Sequence, residues 1–154
     1  MPPNIYDELR DEADRMADYD KEIEVYASDI DPEMVEIAKR NAEEVGLGDI
    51  IQFNVKDVNT LTIDSEGPVA LVGNPPYGER IGDREEVEEM YRYIGSLMKQ
   101  HPYLSTYILT SNKEFEYLVN RKATKRRKLF NGYIECTYYQ YWGCLLYTSP
   151  SPQD

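Results

Sequence analysis

Six residues, Pro68-Val69-Ala70-Leu71-Val72-Gly73, run without a polar interruption into Asn74-Pro75-Pro76-Tyr77-Gly78. A continuous apolar run of this length suits a strand buried on both faces, the pattern of parallel sheets covered by helices. The two prolines then end it. Each fixes its own φ and holds the residue before it extended, so the backbone turns rigid where the strand stops.

The flanking segments alternate as such a sheet requires. Residues 5–19 carry a weak apolar stripe, Ile5, Leu9 and Met16, and predict a helix. Ile23-Glu24-Val25-Tyr26-Ala27 predicts a strand that ends at Ser28-Asp29-Ile30-Asp31. Asp31-Pro32-Glu33 is a helix start: Asp31 can accept from free backbone N–H groups, and Pro32 has no N–H to leave unpaired. Val35, Ala38, Ala42 and Val45 continue at helical spacing, and Gly46 is a stop. Residues 50–55 predict a second strand, 68–73 the third and 106–110 a fourth. A helix over 85–100 has Val87, Tyr91, Ile94 and Leu97/Met98 on one face, and a short helix over 112–119 follows the fourth strand. Asn131-Gly132 predicts a hairpin with positive φ at both residues, joining 128–130 to 133–142. Strands alternating with helices imply an α/β fold with a mainly parallel sheet.

A chain of 154 residues accommodates one domain, and 41% hydrophobic residues supply its core. No apolar stretch approaches the ~20 residues of a membrane span, and no basic-then-apolar segment opens the chain, so neither a span nor a secretory signal is expected. Cys136 and Cys144 alone make neither a disulfide framework nor a metal site, which points to a reducing cytoplasm. The only histidine, His101, precedes Pro102 at a helix end and reads as a cap-region residue; no metal is expected.

The net charge of −12 argues against a nucleic-acid partner when taken as an average. It is unevenly spread. Residues 1–100 hold 10 Lys/Arg against 25 Asp/Glu, a net −15, whereas residues 101–154 hold 7 against 4, a net +3. Six of those late cations lie in Arg121-Lys122-Ala123-Thr124-Lys125-Arg126-Arg127-Lys128, which reads either as a solvated loop or as a phosphate footprint.

In open α/β sheets ligands bind beyond the carboxyl ends of the strands. Three polar clusters fall there. Asp29 reads equally as an acceptor for a ribose diol or as a turn residue, and Asp57 by itself reads as a turn residue. The rigid Asn74-Pro75-Pro76-Tyr77 corner offers two fixed acceptors, the Asn74 amide oxygen and the Pro75 carbonyl, beside an aromatic ring. Two acceptors suit the two N–H donors of a planar amine, and the ring suits stacking on a base or amide plane. A strand-ending turn with a packed tyrosine is the plainer alternative.

Asn74-Pro75-Pro76-Tyr77 resembles the motif of amino-group methyltransferases that use S-adenosylmethionine (SAM). The wider pattern is more specific. Tyr26-Ala27-Ser28-Asp29-Ile30-Asp31-Pro32, Ala38-Lys39-Arg40-Asn41-Ala42 and Asn74-Pro75-Pro76-Tyr77-Gly78-Glu79-Arg80 together resemble the bacterial 23S rRNA guanine-N2 methyltransferases that carry a THUMP domain. Lys128-Leu129-Phe130-Asn131-Gly132 and Tyr139-Gln140-Tyr141 fit the terminal hairpin of that family, so the likeness spans residues 5–143. The resemblance implies a Rossmann-like methyltransferase sheet, mainly parallel, with a C-terminal antiparallel hairpin. It implies SAM as cofactor and 23S rRNA as partner. Asp29 would bind the SAM ribose, Ile30 would pack on the adenine, and Asp57, with Val58 beside it, would take the adenine amine. Asn74 and Pro75 would accept from the target amine, with Pro76 keeping the corner rigid and Tyr77 stacking on a flipped-out guanine. Adenine-N6 and protein glutamine-N5 enzymes share the four-residue motif, and a non-catalytic base- or peptide-binding module is a further alternative.

The sequence departs from the pattern of that family. It has no Gly-rich loop after a first strand: Gly46, Gly48 and Gly67 stand elsewhere. The expectation is therefore a partial catalytic domain over 1–143 that lacks the first strand and the THUMP domain, followed by a disordered, functionless tail over 144–154. In the family the first strand is central. A chain without it leaves two sheet edges open or imperfectly closed and is expected to bind SAM weakly or not at all. Oligomeric state is not legible in the sequence.

Overall fold

The computed structural model describes residues 24–65, 67–78 and 81–144. The expected helix over 5–19, the Glu79-Arg80 pair and all but the first residue of the expected tail lie outside the described residues. The chain divides into two compact units at Lys56/Asp57.

In the first unit, β1 (Val25–Asp29) and β2 (Ile51–Val55) pair in parallel, from Val25↔Ile51 to Asp29↔Val55. The helix α1 (Pro32–Glu44) connects them and turns Val35 and Ala42 inward. Its start is as the sequence predicts: Asp31 Oδ1 accepts from the Glu33 N–H at 2.9 Å, and Pro32 occupies the first turn. Gly46, at φ +79°, takes the left-handed conformation that stops it. The Lys56 N–H bonds the Asp29 carbonyl at 3.0 Å, so the carboxyl ends of β1 and β2 stay joined one residue past the ladder.

The second unit is a four-stranded sheet in the order β3-β4-β6-β5. β3 (Val69–Gly73) and β4 (Leu104–Thr110) are parallel. β5 (Lys125–Asn131) and β6 (Ile134–Tyr141) form the antiparallel hairpin, with β6 against β4. The helix α2 (Arg84–Gln100) links β3 to β4 and buries Val87, Tyr91, Ile94, Leu97 and Met98, the face its spacing predicts. They meet Leu104 and Ile108 of β4, Tyr139 and Tyr141 of β6, and the short helix α3 (Phe115–Val119). Phe115 sits at the centre, edge-on to Tyr91 at 5.0 Å and stacked on Tyr139 at 4.9 Å. Helix α2 approaches α3 closely at Gly95, where a Cβ would meet the Val119 carbonyl oxygen at 2.5 Å.

Four expectations are corrected. β3 is not buried on both faces: among the described residues it is the edge strand of its sheet, only its Val69 and Leu71 pack against the core, and Val72 is 71% exposed. Only the first half of the basic run is loop: residues 121–124 precede the strand, whereas Lys125–Lys128 belong to β5, every residue of which is exposed. The hairpin loop is Gly132-Tyr133, since Asn131 pairs with Ile134 in the ladder. Gly132 alone has positive φ, +65°, the type II′ requirement and not that of type I′. Finally, α3 starts at Phe115 and not at 112, because Asn112 is spent on a turn in which its Oδ1 accepts from the Glu114 N–H at 2.9 Å.

Candidate active site

Asn74 leaves β3 at its carboxyl end, where Gly73 fits against Ile108: a Cβ there would stand 3.4 Å from the Ile108 Cδ1. The following corner is held from within by two side chains. Tyr91, fully buried on α2, donates to the Pro76 carbonyl at 2.6 Å. Asn112, just past β4, donates through Nδ2 to the Tyr77 carbonyl at 3.1 Å. The two are themselves linked. The Asn112 N–H donates to Thr110 Oγ1 at 3.0 Å, and Thr110 Oγ1 lies 2.8 Å from Tyr91 Oη. Because the Tyr91 proton goes to Pro76, Thr110 is the donor in that pair. A directed chain thus runs from Asn112 through Thr110 and Tyr91 to the corner, each bond polarising the next. Burial, against which the Thr110 hydrogen bond acts, pushes the Tyr91 hydroxyl up to about 12. Gly78 closes the corner at φ +76°, where a Cβ would stand 3.3 Å from the Val87 side chain.

The outer side of the corner is organised by Tyr77. Its Oη donates to Asn74 Oδ1 at 2.8 Å and accepts from Asn131 Nδ2 at 3.2 Å and from the buried Cys136 thiol at 3.5 Å. Burial, followed by the Cys136 hydrogen bond, raises the Tyr77 pKa, which keeps the phenol a donor at neutral pH. An amide oxygen has two lone pairs, so Asn74 Oδ1 keeps one acceptor position beyond the bond from Tyr77. Asn74, Pro75, Pro76 and Tyr77 are consecutive, and the structure gathers further side chains around their corner. It adds Tyr91, Thr110, Asn112, Asn131 and Cys136. None of these was legible as a site residue: Tyr91 reads as core, Asn131 as turn, and no local spacing ties either to Tyr77.

The remaining candidates stand at strand ends. Asp29 closes β1. One of its oxygens accepts the Asp31 N–H at 2.9 Å, and the other is unengaged among the described residues. Ile30 beside it is 67% exposed, an apolar side chain without cover. Asp57 Oδ1 caps the short turn Val58–Thr60 by accepting the Asn59 N–H at 2.9 Å. Asn59 Oδ1 is buried and has no hydrogen-bond partner among the described residues. Within the first unit, a carboxylate oxygen unengaged among the described residues beside an exposed apolar side chain suits a ribose diol and the face of a base. His101 caps α2, its N–H bonding the Leu97 carbonyl at 3.0 Å.

Two cavities flank β3 and β4. One of about 240 Å³ opens beside Tyr77, Gly78 and Asn112. The other, about 400 Å³, is lined by Asp64, His101 and Tyr103 where the strands begin. The smaller is the relevant one, because the strand carboxyl ends carry the fixed acceptors.

Residues 2–140 match the family described as RMKL-like, methyltransferase domain. The chain is 50% identical over 139 residues to the Bacillus subtilis (strain 168) protein named as an RNA methyltransferase, YpsC, covering 90% of this chain and 36% of that one. It is 40% identical over 118 residues to the Ribosomal RNA large subunit methyltransferase K/L of Shewanella baltica (strain OS155), covering 76% of this chain and 16% of that one. Its fold matches the crystal structure of SMU.472, titled as a methyltransferase complexed with SAH, at TM-score 0.78 and 35% identity over 96% of this chain and 39% of that one. It also matches a Listeria monocytogenes structure titled as an N6-adenine-specific DNA methylase, at TM-score 0.74 and 42% identity over 94% of this chain and 37% of that one. The chain thus spans about a third of the first relative's length and about a sixth of the second's.

Proposed function

Because the chain belongs to the RMKL-like methyltransferase domain family, we propose that it carries the target-amine site of a SAM-dependent RNA methyltransferase that modifies the exocyclic N2 amine of a guanine in 23S rRNA, in the cytoplasm. The observation that supports this reading most directly is the clamped corner. Two planar acceptors, Asn74 Oδ1 and the Pro75 carbonyl, directly precede the Pro76 and Tyr77 carbonyls, which Tyr91 and Asn112 hold. The names of the Bacillus and Shewanella relatives favour RNA over a protein substrate.

In this reading Asp29 holds the ribose diol, Ile30 covers the adenine face, and Asp57 with Val58 takes the adenine edge. SAM, when bound, supplies an electrophilic methyl on its sulfonium. The chain's own work is positional. Asn74 and Pro75 accept the two N–H groups of the amine and so aim its lone pair, while Pro76 keeps the corner from yielding. Tyr77 exchanges its hydrogen bond to Asn74 for stacking on the base. Such positioning is worth on the order of 7–11 kcal/mol at best. The amine releases its extra proton to solvent after transfer, so no dedicated base is needed.

The test is a chimera in which this chain replaces the matching segment of the Bacillus relative, incubated with radiolabelled SAM and ribosomal RNA. Digestion to nucleosides followed by mass spectrometry is expected to show N2-methylguanosine. Asn74→Ala is expected to abolish transfer while SAM crosslinking persists. Transfer that survives this change refutes the site. Methyl on adenine N6 would instead assign the chain the base specificity, though not the DNA substrate, of the Listeria protein's title.

A further inference from the structure

β5 is the outer strand of its sheet, and its seven residues are all exposed. Along a strand side chains alternate between faces, which splits the four consecutive cations into two pairs. Arg126 and Lys128 point to one face, and both are neutralised there: Arg126 by Glu116 at 3.3 Å and Lys128 by Glu135 at 3.3 Å. Lys125 and Arg127 point to the other face and make no ion pair among the described residues. That second face also carries Asn131, whose amide reaches the Tyr77 hydroxyl at 3.2 Å. The two cations, unpaired among the described residues, therefore share one side of one strand with Asn131, which reaches the amine-site corner through Tyr77. Lys125 and Arg127 stand about 6.8 Å apart along the strand, a spacing comparable to that of successive phosphates on a single strand.

From this arrangement we infer that the Lys125/Arg127 face of β5 is a track for the phosphates of single-stranded RNA flanking the nucleotide that enters at Asn74. The inference rests on the RNA reading above and goes beyond it by naming the contact. The polyanion is favoured by charge: among the described residues these cations have no ion-pair partner in a chain of net −12, while the adjacent Arg126 and Lys128 each have one. Asn131 serves as a positioning residue, joining the track to Tyr77.

The experiment measures fluorescence anisotropy of a short labelled single-stranded RNA of mixed sequence with the full chain across a salt series. Each phosphate contact on a single strand contributes about 0.7 to the log–log salt slope. Losing two in the double variant K125Q/R127Q is expected to flatten the slope by about 1.4, which corresponds to about 25-fold weaker binding near 0.1 M salt. The control R126Q/K128Q removes the same charge from the neutralised face and is expected to change the slope by less than half as much. Circular dichroism melts of each variant, and repetition in the chimera, separate lost contacts from lost folding. Equal effects of the two double variants, or none from K125Q/R127Q in either protein, overturn the inference. Displacement of RNA by polyglutamate as readily as by unlabelled RNA overturns it too, since the face would then suit an acidic protein. If Asn74→Ala abolishes transfer while K125Q/R127Q leaves binding intact, the track fails and the amine site stands. The opposite pair of results leaves the track and removes the amine site.

Discussion

Tyr91→Phe isolates the buried hydrogen-bond chain behind the candidate site. The ring stays, and with it the edge-on contact with Phe115 at 5.0 Å. Only the hydroxyl goes, and two bonds go with it: the one to the Pro76 carbonyl and the one from Thr110. Thr110 is 1% exposed, so its hydroxyl proton loses its acceptor in a place water does not reach. A net loss of about 1 kcal/mol per bond, with an added penalty for the stranded donor, gives about 2–3 kcal/mol. For a chain of this size that lowers the Tm by roughly 8 °C. The same residue has a signature in pH. Its hydroxyl is pushed up to about 12 when folded, against 10.0 in the open chain. A raised folded pKa means stability fully present below pH 10 and lost as pH rises through about 12, a contribution on the order of 3 kcal/mol. Tyr139 and Tyr141 are shifted upward by burial as well and share the alkaline loss. Urea titrations of both proteins at neutral pH, and again across the alkaline range, test the account. The variant should start lower and fall less between pH 10 and 12. Equal stability at neutral pH, or an alkaline loss as steep as that of the parent, would refute the argument that this hydroxyl is a buried structural donor.

Two further outcomes follow from close approach and capping. Gly95→Ala should destabilise the second unit by at least about 2 kcal/mol, since its Cβ would meet backbone of α3 at 2.5 Å and neither helix can yield cheaply; a thermal melt decides it. Asp31→Ala should cost about 1 kcal/mol through loss of the bond to the Glu33 N–H, seen as faster amide exchange over the first turn of α1 and not in β6.

The local elements were legible because their signals are local. Asp31-Pro32 marks a helix start by hydrogen-bond supply alone, and it starts there. The 85–100 stripe names the five buried residues of α2, because helical spacing puts them on one face whatever they pack against. The Asn-Pro-Pro-Tyr corner was recognisable because proline rigidity belongs to the residues themselves. Three features needed the tertiary structure. Val72 looks like core in the sequence and is largely exposed, because a strand's burial depends on its neighbours and β3 has one among the described residues. Tyr77 and Asn131 lie 54 residues apart and meet at 3.2 Å, which only the sheet order brings about. The run Lys125–Lys128 is uniformly basic as written, and among the described residues pairing with Glu116 and Glu135 on one face leaves charge unneutralised on the other. Composition and spacing determine which elements form. Which side of each element does chemistry is decided by what the fold sets against it.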